Sequence, residues 1–199
     1  MTTRVVTQPS VEPVSLDEAK LHLRVDDTTD DSLITALITV ARIYAENYTR
    51  RSFCQQTLEL LLNCFDSNEI ILPAPPLISV SSVKYLDLGG VLTTVDVADY
   101  QVDTYREPGR IKPAYLESWP IITRGDFNAV QIQYVAGYTP IGSPTDYASG
   151  VPEPIKQWIK IRVATLYEFR EAIVTGTSKA EIHRDFIDGL LDPYVVDLF

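Results

Sequence analysis

Residues 31–51 read DSLITALITVARIYAENYTRR and contain the longest helical pattern in the chain. Apolar side chains recur three and four positions apart, as they do on one face of an amphipathic helix. The predicted apolar face comprises Leu33, Ile34, Leu37, Ile38, Ala41, Tyr44, Ala45 and Tyr48. The predicted polar face comprises Asp31, Thr35, Arg42, Glu46 and Arg50. The stretch therefore predicts a long helix with one side buried.

Four aspartates lie before and at the start of this helix, in the stretch DDTTDD at 26–31. A calcium loop of the EF-hand type needs a central glycine and a terminal bidentate glutamate, and the stretch has neither. Carboxylates at the start of a helix complement its dipole and can cap it. We therefore predict that these aspartates cap the helix and that no metal ion binds here.

Helical signals also flank this stretch. On its N-terminal side, Ser15 and Glu18 in SLDEAKLHL form a capping box, which predicts a short helix over 15–23. Much later, Pro152-Glu153-Pro154 suits the first turn of another helix. The apolar side of that helix is predicted from Ile155, Trp158, Ile159, Arg162, Leu166, Phe169 and Ile173, and Gly176 is its expected stop. A second capping box, Ser178 with Glu181, predicts a last helix that carries Ile182, Phe186 and Leu190 and ends at Asp192-Pro193.

Between these helices the pattern changes to short segments rich in β-branched and aromatic residues. The predicted strands lie in QTLELLLNCF, EIILP, SVSSVKYLD, VLTTVD, DYQVDT, GRIKP and AVQIQYV. Gly89-Gly90 predicts a hairpin turn, and Pro73 to Pro76 (PAPP) predicts a crossing between sheets or a corner. The fold class is thus α+β, with helices at both termini packed as a small bundle around a β-rich antiparallel insert. The predicted domain bounds are 1–52, 53–147 and 148–199.

Composition narrows the function. The chain has 199 residues and a formal net charge of −10, which disfavours a role in gripping nucleic acid. Cys54 and Cys64 lack the spacing of a metal site and are expected to be free thiols. No signal peptide or membrane-spanning run is evident, so we expect a soluble protein made in the cytoplasm with no membrane partner.

No catalytic constellation is evident, so we predict no enzyme activity, no cofactor and no metal. His22 and His183 are expected to be solvated helix residues. Two alternatives remain. One is a carbohydrate-binding module in the insert, which an exposed cluster of Trp119, Tyr115 and Tyr138 would favour. The other is a hydrolase, which would need His22 or His183 beside a carboxylate and a nucleophile.

The order of several phrases resembles the head-tail connector, or adaptor, family of long-tailed phages and gene transfer agents. The resemblance covers nearly the whole chain, although the shortest members of the family lack the long β-rich insert. The phrases are PVSLDEAKLHLRVDDTTDDSLITALITVARIYAENYTRRSF, EIILPAPPLISVSSVKYLD, YVAGYTP, VPEPIKQWIKIRVATLYEFREA and LLDPY.

The resemblance implies a structural virion protein at the head-tail interface. Its subunits would form a homo-oligomeric ring, commonly of twelve, between the portal protein and a tail-side stopper or tail terminator protein. DNA would pass through the ring without sequence-specific binding. The family's C-terminal phrase matches LLDPY and implies docking in the portal by Leu190, Leu191, Pro193, Tyr194, Val195, Val196, Leu198 and Phe199. The competing interpretation is that this apolar segment packs on the subunit's own helices.

Overall fold

The computed structural model describes residues 2–65, 67–122, 126–142, 146–169 and 187–197. Those residues contain three helices and eight strands, with helices towards both ends and a β-rich middle, which confirms the α+β class. The chain divides into two compact units. The sheet unit comprises Met1–Ser10, Gln55–Thr139 and Val196–Phe199, and the helical unit comprises Val11–Cys54 and Pro140–Val195. The bounds 1–52, 53–147 and 148–199 remain a prediction about folding domains.

The helical unit contains α1 (Leu16–Leu23), α2 (Asp31–Thr49) and α3 (Glu153–Glu168), and all three pack on one another. The capping box of α1 is present. The Glu18 amide donates to Ser15 Oγ at 3.2 Å, and the Ser15 amide donates to Glu18 Oε2 at 2.8 Å. None of the described helices is long and apolar enough to cross a membrane.

Two predictions about α2 were wrong in detail. Its buried residues are Ile34, Ile38, Ala41, Arg42, Ala45 and Thr49, whereas Tyr44 and Tyr48 are exposed. The buried face is therefore turned towards Arg42, which periodicity assigns to solvent. At the N-terminus, Asp30 makes no side-chain cap, and its Oδ2 accepts from the Tyr167 hydroxyl at 2.5 Å. Asp31 pairs with Lys20 at 2.7 Å.

The sheet unit contains eight strands, and all their pairings are antiparallel. They are β1 (Thr2–Thr7), β2 (Gln56–Leu62), β3 (Ile70–Ile71), β4 (Leu77–Leu86), β5 (Leu92–Thr94), β6 (Tyr100–Asp103), β7 (Arg110–Pro113) and β8 (Val130–Ala136). One sheet has the order β1-β2-β8-β4-β5 and the other the order β3-β7-β6. All seven predicted strand segments form strands, and β1 was not predicted.

Side chains that alternate along β2 and β8 build the core of this unit. Leu58 lies opposite Tyr134 and Leu60 lies opposite Ile132, and all four are buried. The Tyr134 hydroxyl donates to the carbonyl oxygen of Pro73 at 2.8 Å, which satisfies a buried polar group at the start of PAPP. PAPP connects β3 in one sheet to β4 in the other, so the predicted crossing between sheets is confirmed.

The predicted last helix lies for the most part outside the described residues. Its capping box at Ser178 and Glu181, and its apolar positions Ile182 and Phe186, fall within 170–186. The same holds for Ile173, for the stop at Gly176 and for His183. The described residues resume at 187, near the end of that predicted helix.

Candidate interaction site

The predicted docking segment, residues 190–199, is partly buried by this chain itself. Leu191 has no exposed surface, and Val196 is also buried. Pro193 and Val195 are exposed, and Leu190 and Tyr194 are half-buried. Leu198 and Phe199 lie outside the described residues. The buried side chains of the segment therefore hold it in place, whereas its exposed side chains remain free to meet a partner.

Two side chains at the end of α2 bind the segment by hydrogen bonds. The Tyr48 hydroxyl donates to Asp192 Oδ1 at 2.7 Å, and this bond raises the pKa of Tyr48 above its ordinary value. Arg51 Nε donates to the carbonyl oxygen of Tyr194 at 2.6 Å. Between these contacts, Asp192–Tyr194 forms a short 3-10 turn that contains Pro193. The two bonds therefore fix the turn that precedes Val195, the last residue of this segment in the helical unit.

A stack of side chains holds the preceding turn. The Arg162 guanidinium lies 5.4 Å from the centre of the Tyr44 ring, and Tyr44 stacks on Trp158 with ring centres 5.6 Å apart. The buried Trp158 then donates its indole N–H to Asp188 Oδ1 at 3.2 Å. Cation-π and aromatic stacking interactions of this kind stabilise a surface without burying it fully. The stack explains why Tyr44 lies outside the buried face of α2.

A buried ionic cluster fixes the end of α2. Arg42 Nε donates to Glu12 Oε2 and Arg42 Nη1 donates to Glu46 Oε2, both at 2.7 Å. The amide of Phe53 donates to Glu46 Oε1 at 2.8 Å. Burial raises the pKa of Glu46 above its ordinary value, although Arg42 and the Phe53 amide act in the opposite direction. Because Glu46 bonds to the chain beyond the helix, the cluster positions Arg51.

A stripe of apolar side chains on α2 faces outwards. Ala36, Val40 and Ile43 follow one another four and three positions apart, and Val40 is 53% exposed. Residues at this spacing lie on one face of a helix. Two consecutive large apolar residues of the stripe are thus left in solvent, at the centre of the longest helix. Such a stripe is typical of a surface that another protein covers.

The residues of the other hypotheses are placed differently. Trp119 is half-buried, stacks on Phe65 at 4.8 Å between ring centres, and donates its N–H to Asn68 O at 3.1 Å. Tyr138 is half-buried and Tyr115 is exposed. His22 lies exposed on α1. Trp119 therefore serves the packing of the sheet unit. Among the described ranges no group of three or more metal-ligating side chains was found.

Sequence reasoning missed the contribution of Tyr44, Tyr48 and Arg51. The two tyrosines were assigned to the core because their spacing is helical and apolar. Asp188 and Asp192 are four residues apart, as are Tyr44 and Tyr48, and this matching spacing was the available signal for an interaction. Spacing alone does not show which helix faces which segment.

A known protein family matches the N-terminal part of this chain. Residues 13–85 match the family model described as "Phage gp6-like head-tail connector protein". The match spans α1, α2, β2, β3 and most of β4, which is less than half of the chain. Among curated proteins, no sequence matched.

Three solved structures share the fold. One chain comes from "Neck of empty GTA particle computed with C6 symmetry", with a TM-score of 0.77 and 22% identity. Another comes from "Virion of native gene transfer agent (GTA) particle", with a TM-score of 0.78 and 21% identity. A third, from "Neck of native GTA particle computed with C12 symmetry", has a TM-score of 0.71 and 22% identity. Each match covers 100% of this chain and 98% of the other chain, so the likeness in fold includes the sheet unit. The predicted resemblance to the head-tail connector family is confirmed over residues 13–85, where the gp6-like family model matches.

Proposed function

We propose that this chain is a structural subunit of the head-tail connector in a phage particle or gene transfer agent. The family match over residues 13–85 is the observation that carries this proposal. The shared fold supports it, because the similar chains come from the necks and the virion of gene transfer agent particles. The protein would therefore reside in the virion, at the interface of head and tail. Its work is docking and sealing, and we assign it no catalytic step and no cofactor.

The subunits form a closed ring around the path of the DNA. A ring of identical subunits needs two different complementary surfaces on each copy. The outward stripe of α2, with Ala36, Val40 and Ile43, supplies one apolar surface of this kind. Twelve copies is the number that the resemblance implies. A net charge of −10 suits a lumen through which DNA slides without being held.

The docking segment binds the portal protein, and the opposite side of the ring binds a stopper or tail terminator protein. Within the segment, Leu191 acts as an internal anchor because it is fully buried in the subunit. Pro193 and Val195 are exposed and contact the portal, together with Leu198 and Phe199. The sequence YVVDLF is short and rich in β-branched and aromatic residues, so it is suited to adding as a strand to an exposed sheet edge of the portal.

The test is portal binding by variants that keep the internal anchors. Val195→Asp places a charge on an exposed apolar position, and a chain that stops after Asp197 removes Leu198 and Phe199. Val97→Asp, at a position that is 73% exposed in the sheet unit, is the matched control. Binding to the portal protein encoded beside this chain is measured by co-sedimentation, with circular dichroism to verify folding.

We expect both variants in the segment to lose about tenfold or more in affinity, which corresponds to about 1.4 kcal/mol, and the control to bind like the wild type. Equal binding by all variants would place the portal contact elsewhere on the subunit. If the folded wild type does not bind the portal at all, the connector proposal itself fails.

A further inference from the structure

A basic cleft on the smaller sheet is not used by the docking segment or by the α2 stripe. Three of the chain's 17 lysines and arginines, Arg106, Arg110 and Lys112, fall within seven positions of the sequence. They line a cleft of about 360 Å³ beside β6 and β7. Arg110 and Lys112 share one face of β7 because strand residues two apart point the same way, and Ile111 between them is buried. The cleft is thus a local positive site on an acidic protein.

The chain does not neutralise the cleft fully. Arg110 Nη1 pairs with Glu69 Oε1 at 2.7 Å, and Arg106 Nε lies 3.5 Å from Asp103 Oδ2. Within the described residues Lys112 has no ion pair, and Arg110 Nε is buried without an acceptor. The hydrogen bond from Arg110, together with the charges of Arg106 and Lys112, lowers the pKa of Glu69. Three cations against two carboxylates leave the lining of the cleft positive.

The arrangement favours a protein carboxylate over nucleic acid as the bound anion. Nucleic acid is held by many uncompensated cations along its backbone, whereas this short cleft has three cations and two carboxylates, which suits a local contact with few charges. A pair of carboxylates on a protein matches a short cleft of this kind. Identical subunits with a charge of −10 repel one another. A contact that brings opposite charges together therefore stabilises the ring against this repulsion.

One acidic pair of this chain has the required properties. Asp26 and Asp27 lie in the connection between α1 and α2, and both are exposed. Neither makes an ion pair within the described part of the chain, whereas the neighbouring Asp31 is paired with Lys20. Within the described residues, the hydrogen bond of the Asp27 side chain is local, because its Oδ1 accepts from the Thr29 amide at 2.9 Å. Both carboxylates are therefore available to a cation from outside the subunit.

We propose that the cleft formed by Arg106, Arg110 and Lys112 receives Asp26 and Asp27 of a neighbouring copy of this chain. The contact is heterologous, because the cleft and the acidic pair are different surfaces, and a head-to-tail ring requires such a contact. The inference rests on the proposed ring and names the electrostatic pairing between its subunits. It is distinct from the apolar contact of α2. That contact gives affinity, but it does not determine which charged residues of two neighbouring subunits meet.

The experiment reverses the charges on each side and then on both. Arg106→Glu with Lys112→Glu alters exposed cations and leaves the Arg110–Glu69 pair in place. Asp26→Lys with Asp27→Lys alters the other side, and a third chain carries all four substitutions. Lys84→Glu with Lys160→Glu is the control for the cleft reversal, because it lowers the net charge by the same amount at sites outside the cleft. Self-association of each full-length chain is measured by sedimentation equilibrium at low and high salt, and copies per portal ring are counted by native mass spectrometry.

We expect each reversal alone to weaken self-association about tenfold or more at low salt, and the combined chain to recover to within about threefold of the wild type. The control should stay within about threefold, and the differences should shrink at high salt. If the combined chain stays as weak as either reversal, or the control is equally weak, the pairing is refuted. A cleft reversal that leaves self-association unchanged but lowers DNA binding would show that the cleft binds phosphate instead.

These outcomes are separable from the proposed function. A wild-type chain that self-associates and responds to charge reversal without binding the portal supports the pairing and contradicts the portal contact. A wild-type chain that binds the portal as single copies and does not self-associate in either setting overturns the pairing alone.

Discussion

The buried cluster of Arg42, Glu12 and Glu46 should stabilise the helical unit substantially, and the substitution Arg42→Met tests it. Methionine keeps most of the packing of the side-chain stem and removes two charge-assisted hydrogen bonds of 2.7 Å each. The Glu46 side chain, only 11% exposed, then remains without its cation. Breaking a buried pair in this way costs about 3–5 kcal/mol. Because Glu12 is 25% exposed and can rehydrate, we expect the lower end, about 3 kcal/mol.

The pH dependence of the stability lost in Arg42→Met is a sharper test than the size of that loss. Burial raises the pKa of Glu46 in the folded protein, and removing Arg42 takes away the cation that opposes this rise. A carboxyl group with a raised pKa binds more protons folded than unfolded, so its contribution to stability increases as the pH falls through that raised pKa. The cost of Arg42→Met should therefore shrink between about pH 7 and about pH 5, because a protonated Glu46 needs no cation.

Thermal unfolding followed by circular dichroism measures both effects. A loss of about 3 kcal/mol corresponds to a fall in Tm of roughly 6–12 °C for a chain of this size. Lys160→Met removes a cation outside the cluster and should change Tm little. Arg42→Met combined with Glu46→Gln should recover much of the loss, since the glutamine oxygen can still accept from the Phe53 amide. A loss that is below about 1 kcal/mol, or the same at both pH values, would refute the reasoning.

Three further predictions concern single residues. Gly109→Ala should cost about 1–3 kcal/mol in urea denaturation, because a Cβ there would lie 2.5 Å from Cβ of Leu77, whereas Gly89→Ala should cost little; equal costs would contradict this. Burial raises the pKa of the Cys54 thiol to about 12, so iodoacetamide at about pH 8 should label it only after unfolding, and rapid labelling in the native state, read by mass spectrometry, would show that the site opens. Trp158→Ala should lower the free energy of unfolding by about 3–5 kcal/mol, and a loss below about 1 kcal/mol would mean that the aromatic stack contributes little.

Local sequence signals predicted most of the elements. The capping box at Ser15 and Glu18, the long helix over Asp31–Thr49 and the seven segments from β2 to β8 all depend on neighbours within a few residues, and these predictions are confirmed. The strand β1 was missed because TTRVVT has little apolar alternation, and all six of its residues are exposed. It exists through pairing with β2, more than fifty residues away, which local pattern does not report.

The interaction site was harder to predict for the same reason. The apolar composition of residues 190–199 identified a docking candidate, but it gave no way to know that Leu191 would be buried and Val195 exposed. Periodicity placed Arg42 in solvent because a lone cation is costly to bury. The two carboxylates that make its burial possible come from Glu12 and Glu46, and only the folded unit brings Glu12 to Arg42. Polar groups that are satisfied by distant partners are the part of a fold that single-sequence reasoning predicts least well.

The hydrogen bonds that orient the docking segment also set an order of events during synthesis. The hydrogen-bond partners of Tyr48 and Arg51 lie 144 and 143 positions later in the chain. The two hydrogen bonds to the turn at Asp192–Tyr194 can therefore form only after residues 192–194 have been synthesised. A nascent chain that has not reached residue 192 contains α2 but no oriented docking segment, so on the proposed function we expect it not to bind the portal. On the proposed function, synthesis through residue 194 would thus precede the joining of a subunit to the particle.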